Sequence, residues 1–266
     1  MGILTKFRKR KATRATKPHA TNLGMVALRS SGAPDLAAVT RRFASSWKSA
    51  VLSEPSTSGD SAAVVHIEGG TVGFGFMPTP IPWGDLEWPA QTAWSWPEAT
   101  AELKAHQAHV IVFAVSETLS MVPLTLALTG AIACTLRETD AVGVYYGNAS
   151  IVVPAEAYAE AAAEATASDL PLALWLGFHP VREDKRVTLY TTGMKTLGYL
   201  DFEVASDKTP ASDLLNLVAN VAHYELVSGV QIAHGETVGS TADERFRVAH
   251  APLRFGAREV SCHIHT

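Results

Sequence analysis

At 266 residues, 47% apolar and 18% charged, the chain has an ordinary globular composition and ample length for a core. Its net charge of −4 hides an asymmetry: residues 1–18 carry Lys6, Arg8, Lys9, Arg10, Lys11, Arg14 and Lys17 and no acid, and setting those seven aside leaves 15 basic against 26 acidic residues, a formal −11. Such a body argues against nucleic acid as the main partner and suits a basic protein or a cationic ligand. Two cysteines are too few for a disulfide framework and fit a reducing cytoplasm.

Residues 1–20 read as a disordered basic arm, in which Ile3, Leu4 and Phe7 beside the cations would give at most weak peripheral contact with anionic lipid through residues 1–18. No apolar run follows the basic start, so it does not read as a signal peptide. Met25–Leu28 reads as a strand, and Pro34-Asp35 opens a helix to about Trp47 with Leu36, Val39 and Phe43 on one face. Residues 54–61 are a polar loop. Val64–Ile67 and Thr71–Phe76 pair as a hairpin across Gly69-Gly70.

Residues 77–98 then hold four of the six tryptophans and five of the fourteen prolines. Pro78, Pro80 and Pro82 fix φ at alternate sites and cannot donate to a sheet ladder, so this stretch leaves the sheet in extended form. Trp83-Gly84-Asp85 can turn the chain, and Asp85 and Glu87 share one side if it stays extended. Ser95 with Glu98 fits a capping box, with Pro97 inside the first turn of a helix to Ala105. The segment admits two readings: an aromatic groove carrying two carboxylates, or an aromatic cover over one end of the core. Val110–Val115 is a buried strand. The order from 25 to 115 is strand, helix, strand, strand, helix, strand, the ferredoxin-like βαββαβ order.

Between Glu117 and Arg137 lie nineteen uncharged residues, interrupted by Pro123, Gly130 and several hydroxyls, so a buried helix over 119–137 is expected and not a membrane span. A strand at 141–146, a helix from Pro154 to about 166, paired strands at 172–178 and 186–192 with a turn near Glu183-Asp184, and a strand at 200–204 follow. A helix over 211–228 stops at Gly229, before strands near 245–250 and 258–264. The expectation is α+β: a single domain over 21–266 built of a ferredoxin-like half (about 21–116) and a second mixed half (117–266), with antiparallel hairpins and helices packed on the sheet.

Little in the chain has the spacing of known chemistry. Cys262-His-Ile-His265 places His263 and His265 on one strand face and Cys262 on the other, with no third ligand, so neither a metal nor a cofactor is expected. His106 and His109 cap and join. Thr191–Gly198 lacks the spacing of a phosphate loop, and no nucleophile elbow is present. On the 211–228 helix, Asp213, Asn216, Asn220 and His223 form one polar stripe, which gains interest if the Tyr190–Gly198 loop or the Trp-rich segment folds over it.

Phe76 through Trp96 followed by His106-Gln-Ala-His-Val-Ile-Val-Phe, then Gly143-Val-Tyr-Tyr-Gly, Tyr190-Thr-Thr-Gly-Met-Lys-Thr-Leu-Gly, Asn220-Val-Ala-His-Tyr and Gly235-Glu-Thr-Val-Gly, resemble in content and order the bacterial family "domain of unknown function 4261", over residues 23 to 255. That resemblance implies a shared fold and carries over no catalytic residue. The stretch from Thr191 to Glu203 with Asp213-Leu-Leu-Asn-Leu-Val-Ala resembles suppressor-of-fused-like proteins, a group that includes immunity proteins beside secreted toxins. The resulting expectation is a cytoplasmic, non-enzymatic factor that binds a protein partner through Trp83, Asp85, Glu87, Trp88, Trp94, Trp96, Asn216, Asn220 and His223. The alternative is an enzyme using Asp85 and Glu87, with His106 or His223, beneath the tryptophans.

Overall fold

A computed structural model describes residues 20–47, 56–57, 61–239, 245–255 and 259–265. The basic arm of residues 1–18 and most of the 54–61 loop lie outside the described residues. The architecture is α+β, with two largely antiparallel sheets and seven helices among those residues.

The first sheet holds β1 (Ala20–Leu28), β2 (Ser56–Thr57), β3 (Ala62–Ile67), β4 (Gly70–Met77), β5 (Ala108–Ser116), β6 (Ala141–Tyr146) and β7 (Ile151–Pro154), in the order β2-β3-β4-β5-β1-β6-β7. Every pairing is antiparallel. The βαββαβ order of elements is present, yet the ferredoxin-like arrangement is not. That arrangement needs parallel strands joined by crossover helices. Here β4 and β5, joined by the helical segment between them, are adjacent and antiparallel, and β1 sits between β5 and β6. Element order alone does not fix which strands become neighbours.

Helix α1 (Leu36–Ser46) starts where Asp35 Oδ1 accepts from the Ala38 amide at 2.9 Å. It buries Leu36, Val39, Thr40 and Phe43, the spacing that a helix on a sheet requires. The Trp-rich segment departs from its expected form. It contains helix α2 (Trp83–Thr92) and then helix α3 (Ala99–Ala105). The three prolines do leave the sheet, but Trp83 onward coils because Leu86, Pro89 and Ala90 recur at helical spacing and bury together. Ser95 and Glu98 form no capping box: Glu98 occupies the cap of α3 and its side chain makes no cap bond.

Helix α4 (Met121–Arg137) lies across β1, β4 and β5 beside α1. Its Thr125, Thr129 and Thr135 hydroxyls each bond the carbonyl four residues back, which lets hydroxyls enter an apolar layer. Among the described residues no helix is long and apolar enough to cross a membrane.

After helix α5 (Ala155–Glu164) the expected strand at 172–178 is divided into a single turn, α6 (Leu172–Trp175), and β8 (Gly177–Glu183). Burial of Leu174 and Trp175 sets that turn, and Trp175 Nε1 donates to Thr129 Oγ1 of α4 at 2.8 Å. The second sheet continues with β9 (Arg186–Thr192), β10 (Phe202–Ser206), β11 (Thr237–Val238), β12 (Phe246–Pro252) and β13 (Val260–His265), in the order β11-β12-β13-β10-β9-β8. Among the described residues only β10 and β13 run parallel. Asp184, at φ 52°, makes the β8–β9 turn where it was expected, and helix α7 (Ala211–Ser228) ends at Gly229 with φ 72°. One cluster of buried apolar residues runs through both sheets and the helices between them.

Candidate functional site

The segment joining β4 to β5 is pinned by two histidines. The Ile81 amide donates to His106 Nε2 at 2.7 Å, and His106 Nδ1 donates to the Leu103 carbonyl. Both ring nitrogens are thus occupied in the neutral form, and burial lowers the pKa of the ring. His109 Nδ1 donates to the Thr79 carbonyl at 2.8 Å. So held, the segment covers the face of the first sheet opposite α4, with Ile81, Leu86, Trp96 and Leu103 packed on Ala27, Val142 and Val152. Trp96 lies directly over Gly143, where an added Cβ would come within 2.6 Å of the indole.

The four tryptophans therefore divide. Trp96 is core, and Trp83 is half-buried under the Lys104 ammonium, 4.7 Å from the ring centroid. Trp88 is 44% exposed and Trp94 69%. Between α2, β7, α5 and the start of β8 lies an apolar cleft of about 260 Å³, with Trp94, Pro89, Val152, Ala161, Leu174 and Phe178 in its walls. The cleft is bordered by the two strands, β7 and β8, that end their respective sheets.

A row of rings runs out of the cleft. Trp88 stands 5.1 Å from His179, His179 4.9 Å from Tyr190, and Tyr190 6.0 Å from Phe255, over whose ring the Arg254 guanidinium lies at 5.6 Å. The Thr192 hydroxyl gives its proton to the Ala149 carbonyl at 2.5 Å, so it can only accept from His179 Nε2, 3.0 Å away. His179 is neutral with the proton on Nε2, and burial pushes its pKa down to about 4.

Beyond Tyr190 opens a polar hollow of about 440 Å³, lined by Asn148, Ser150, Tyr190, Lys195, Asp201, Phe255 and Glu259 among others. Ser150, with φ 53°, lines both hollow and cleft. Asn148 is held from behind by buried Asn22, which accepts its amide at 2.9 Å and itself bonds Thr125 and Tyr146. Asp201 Oδ1 accepts from Thr191 Oγ1 and from the Met194 amide, both at 3.1 Å, and burial raises the carboxyl to about 6 despite those bonds. The Lys195 ammonium is engaged by Glu259 at 2.5 Å.

Residues 190–260 match the family model described as Domain of unknown function (DUF4261). The DUF4261 segment thus supplies all of the polar hollow except Asn148 and Ser150, together with the end of β9 and with β10, α7, β11 and β12. No curated protein and no solved structure matches the chain.

The expected site residues are only partly brought together. Trp94 lines the cleft, and Trp88 stands against His179 of its wall. Asp85 and Glu87 are exposed on α2, and because that stretch is helical they point about 200° apart instead of sharing a side. Neither lines the cleft. Asn216, Asn220 and His223 lie on α7, away from the tryptophans; His223 Nε2 accepts from the Leu170 amide at 3.4 Å, and Asn220 lines a separate hollow of about 660 Å³. Near that hollow Glu225, 1% exposed, accepts from the Ile232 amide at 2.7 Å while its Oε2 has no partner among the described residues. Burial raises this carboxyl to about 7. Sequence reasoning singled out none of His179, Ser150, Asp201 and Phe255, which converge from distant parts of the chain, although Tyr190 and Lys195 stood inside a quoted motif and Asp201 inside a quoted stretch.

Proposed function

We propose that the protein is a non-enzymatic binding factor that holds an extended segment of a partner protein in the cleft between β7 and β8. The carrying observation is that Trp94, 69% exposed, stands in the wall of an apolar cleft, with Trp88, 44% exposed, against the His179 ring of that same cleft, although a hydrophobic core was available to take them. Large aromatics at the mouth of a desolvated groove are what binding hot spots are made of. The border of two sheet-ending strands favours an extended occupant, and Pro154 and Pro180 within those strands blunt open-ended pairing. Charge sets the class of partner. Glu156 and Glu160 are exposed on α5 beside Ala157 and Ala161 of the cleft wall, Glu87 is exposed on α2, and residues 19–266 carry the net negative charge, so a basic partner is attracted.

An immunity or accessory role toward a partner such as a bacterial toxin accords with this reading through the resemblance of the 191–219 stretch to suppressor-of-fused-like proteins. A cytoplasmic setting accords with the buried, unpaired Cys134 and Cys262. The enzymatic alternative built on Asp85, Glu87 and His106 finds less support: the carboxylates stand outside the cleft, and His106 has both nitrogens engaged. The test is capture of the basic product of a neighbouring gene by wild type and by Trp94→Ala. Truncating an exposed tryptophan should leave the melting temperature within a degree or two while weakening capture by ten-fold or more, a loss of about 2 kcal/mol. Equal capture by the variant would refute the cleft assignment.

A further inference from the structure

The two sheets end in strands of very unequal length. Among the described residues β2 and β11 have two residues each, β7 has four and β8 has seven. Edges are ordinarily kept short, because a row of unpaired backbone groups invites another chain. β8 is the exception, and its pairing with β9 runs in unbroken register from Gly177–Thr192 to Glu183–Arg186.

That register sets which backbone groups are open. The turn at Asp184-Lys185 closes on Glu183 and Arg186, which share ladder bonds, so by alternation Val181 shares them with Thr188 and His179 with Tyr190. Phe178, Pro180 and Arg182 therefore turn their backbone groups away from β9. Pro180, which has no N–H to give, stands where the ladder needs none. Among the described residues neither the Phe178 nor the Arg182 amide has a hydrogen-bond partner in another element. The open edge thus offers two donors and three carbonyls, and it starts at Phe178 in the cleft wall. On β7 the same alternation, anchored by Pro154, leaves a single donor, on the buried Val152.

We propose that β8 is a docking edge, to which the basic partner segment held in the cleft adds as a seventh strand of the second sheet. For the identity of the occupant this rests on the cleft reading; the open edge is a property of β8 itself. Charge favours a basic occupant, since Glu156 and Glu160 are exposed beside Ala157 and Ala161 of the same cleft. A second copy of this chain is a poorer fit. Pairing edge to edge about Pro180 would set proline opposite proline, with no donor on either side.

The probe is an acetylated, amidated octapeptide of alternating lysine and valine, titrated into the whole protein and followed through backbone amide signals. In the free protein the Phe178 and Arg182 amides should exchange with solvent at least about ten-fold faster than those of His179 and Val181, and peptide should slow them by about ten-fold. Two analogues carry N-methyl groups, one on every lysine and the other on every valine. The one that loses the donors facing β8 should bind about ten-fold more weakly, and the other as the parent does. Arg182→Pro removes an outward N–H and no ladder bond, and should weaken binding by about five-fold, whereas Arg182→Ala should bind at least as tightly as wild type. If Arg182→Pro does not fold, the two analogues still give the answer. Loss of binding in Trp94→Ala without any effect of methylation would keep the cleft and overturn the added strand. Methylation dependence with wild-type binding by Trp94→Ala would keep the strand and refute the cleft. No saturable binding at millimolar peptide, or equal binding by the two analogues, would also overturn the proposal.

Discussion

Single residues carry much of the geometry, and two glycines show how. Gly73 lies under the Phe113 ring in the cross-strand pair Gly73–Phe113, where a Cβ would come within 2.1 Å of the ring. At Gly143 a Cβ would meet the Trp96 indole at 2.6 Å and the Val153 carbonyl at 2.7 Å. Neither glycine is there for an unusual dihedral; each is there because an aromatic ring needs the space. Gly143→Ala must lift Trp96 from the sheet or shift β7, and β7 borders the cleft. A loss of about 1–3 kcal/mol is expected in denaturant unfolding, of the order found for overpacked cores. A variant as stable as wild type would show that Trp96 is not the close neighbour described. His106 is similar in kind: its two bonds make it a bracket for the Pro-rich exit and not an acid or base.

At the scale of elements, the periodic ones were legible. The helix at 211–228 appears with the expected bounds, its burial at Leu214, Leu217, Val218, Val221 and Leu226 following from apolar spacing and its end from Gly229. The hairpin across Gly69-Gly70 and the turn near Asp184 rest on equally local rules. What misled was α2. Its prolines and tryptophans carry little helix propensity, and the helix is imposed by burial of Leu86 on the far side of the sheet. Strand neighbours were not legible either, since pairing of β5 with β1 depends on contacts eighty or more residues apart. The cleft was half visible: Trp94 stood out in the sequence, while Phe178 came from a stretch read as plain strand and His179 from just past its expected end. If burial holds α2 in place, Leu86→Ala should cost about 2–5 kcal/mol. It should also raise the accessibility of Trp96 to a collisional quencher; an unchanged quenching profile would mean that α2 is stable by itself.

For the whole molecule, buried ionisable groups set opposing responses to pH. Glu225, raised to about 7, and Asp201, raised to about 6, hold protons in the folded state that they would lose on unfolding. Their stabilising contribution is present below the unfolded carboxyl pKa and is lost as pH rises through those values. His179, lowered to about 4, works the other way: the unfolded ring takes a proton below about 6.5, so stability is lost as pH falls from there toward 4. His106 is lowered in the same sense. The two trends overlap between about pH 4.5 and 6.5 and offset each other. Glu225→Gln should therefore gain on wild type as pH rises from 5 to 8, by up to roughly 3 kcal/mol, since each tenfold difference in proton affinity between folded and unfolded chain is worth about 1.4 kcal/mol. His179→Gln should lose acid sensitivity below about pH 6.5. Parallel pH–stability curves for wild type and both variants would contradict this account.

Met77 and His109 are paired across β4 and β5, so the excursion that carries all four clustered tryptophans departs from and returns to adjacent points of the ladder. Of the residues between them, strand pairing is confined to the last, Ala108, opposite Leu28. In descent, this excursion can lengthen, shorten or be exchanged wholesale without re-threading the sheet, whereas the hollow formed by β9 and the turn after it is woven into the second sheet. The α2 wall of the cleft can thus change without altering strand connectivity, whereas β7 and β8 opposite it belong to the sheets.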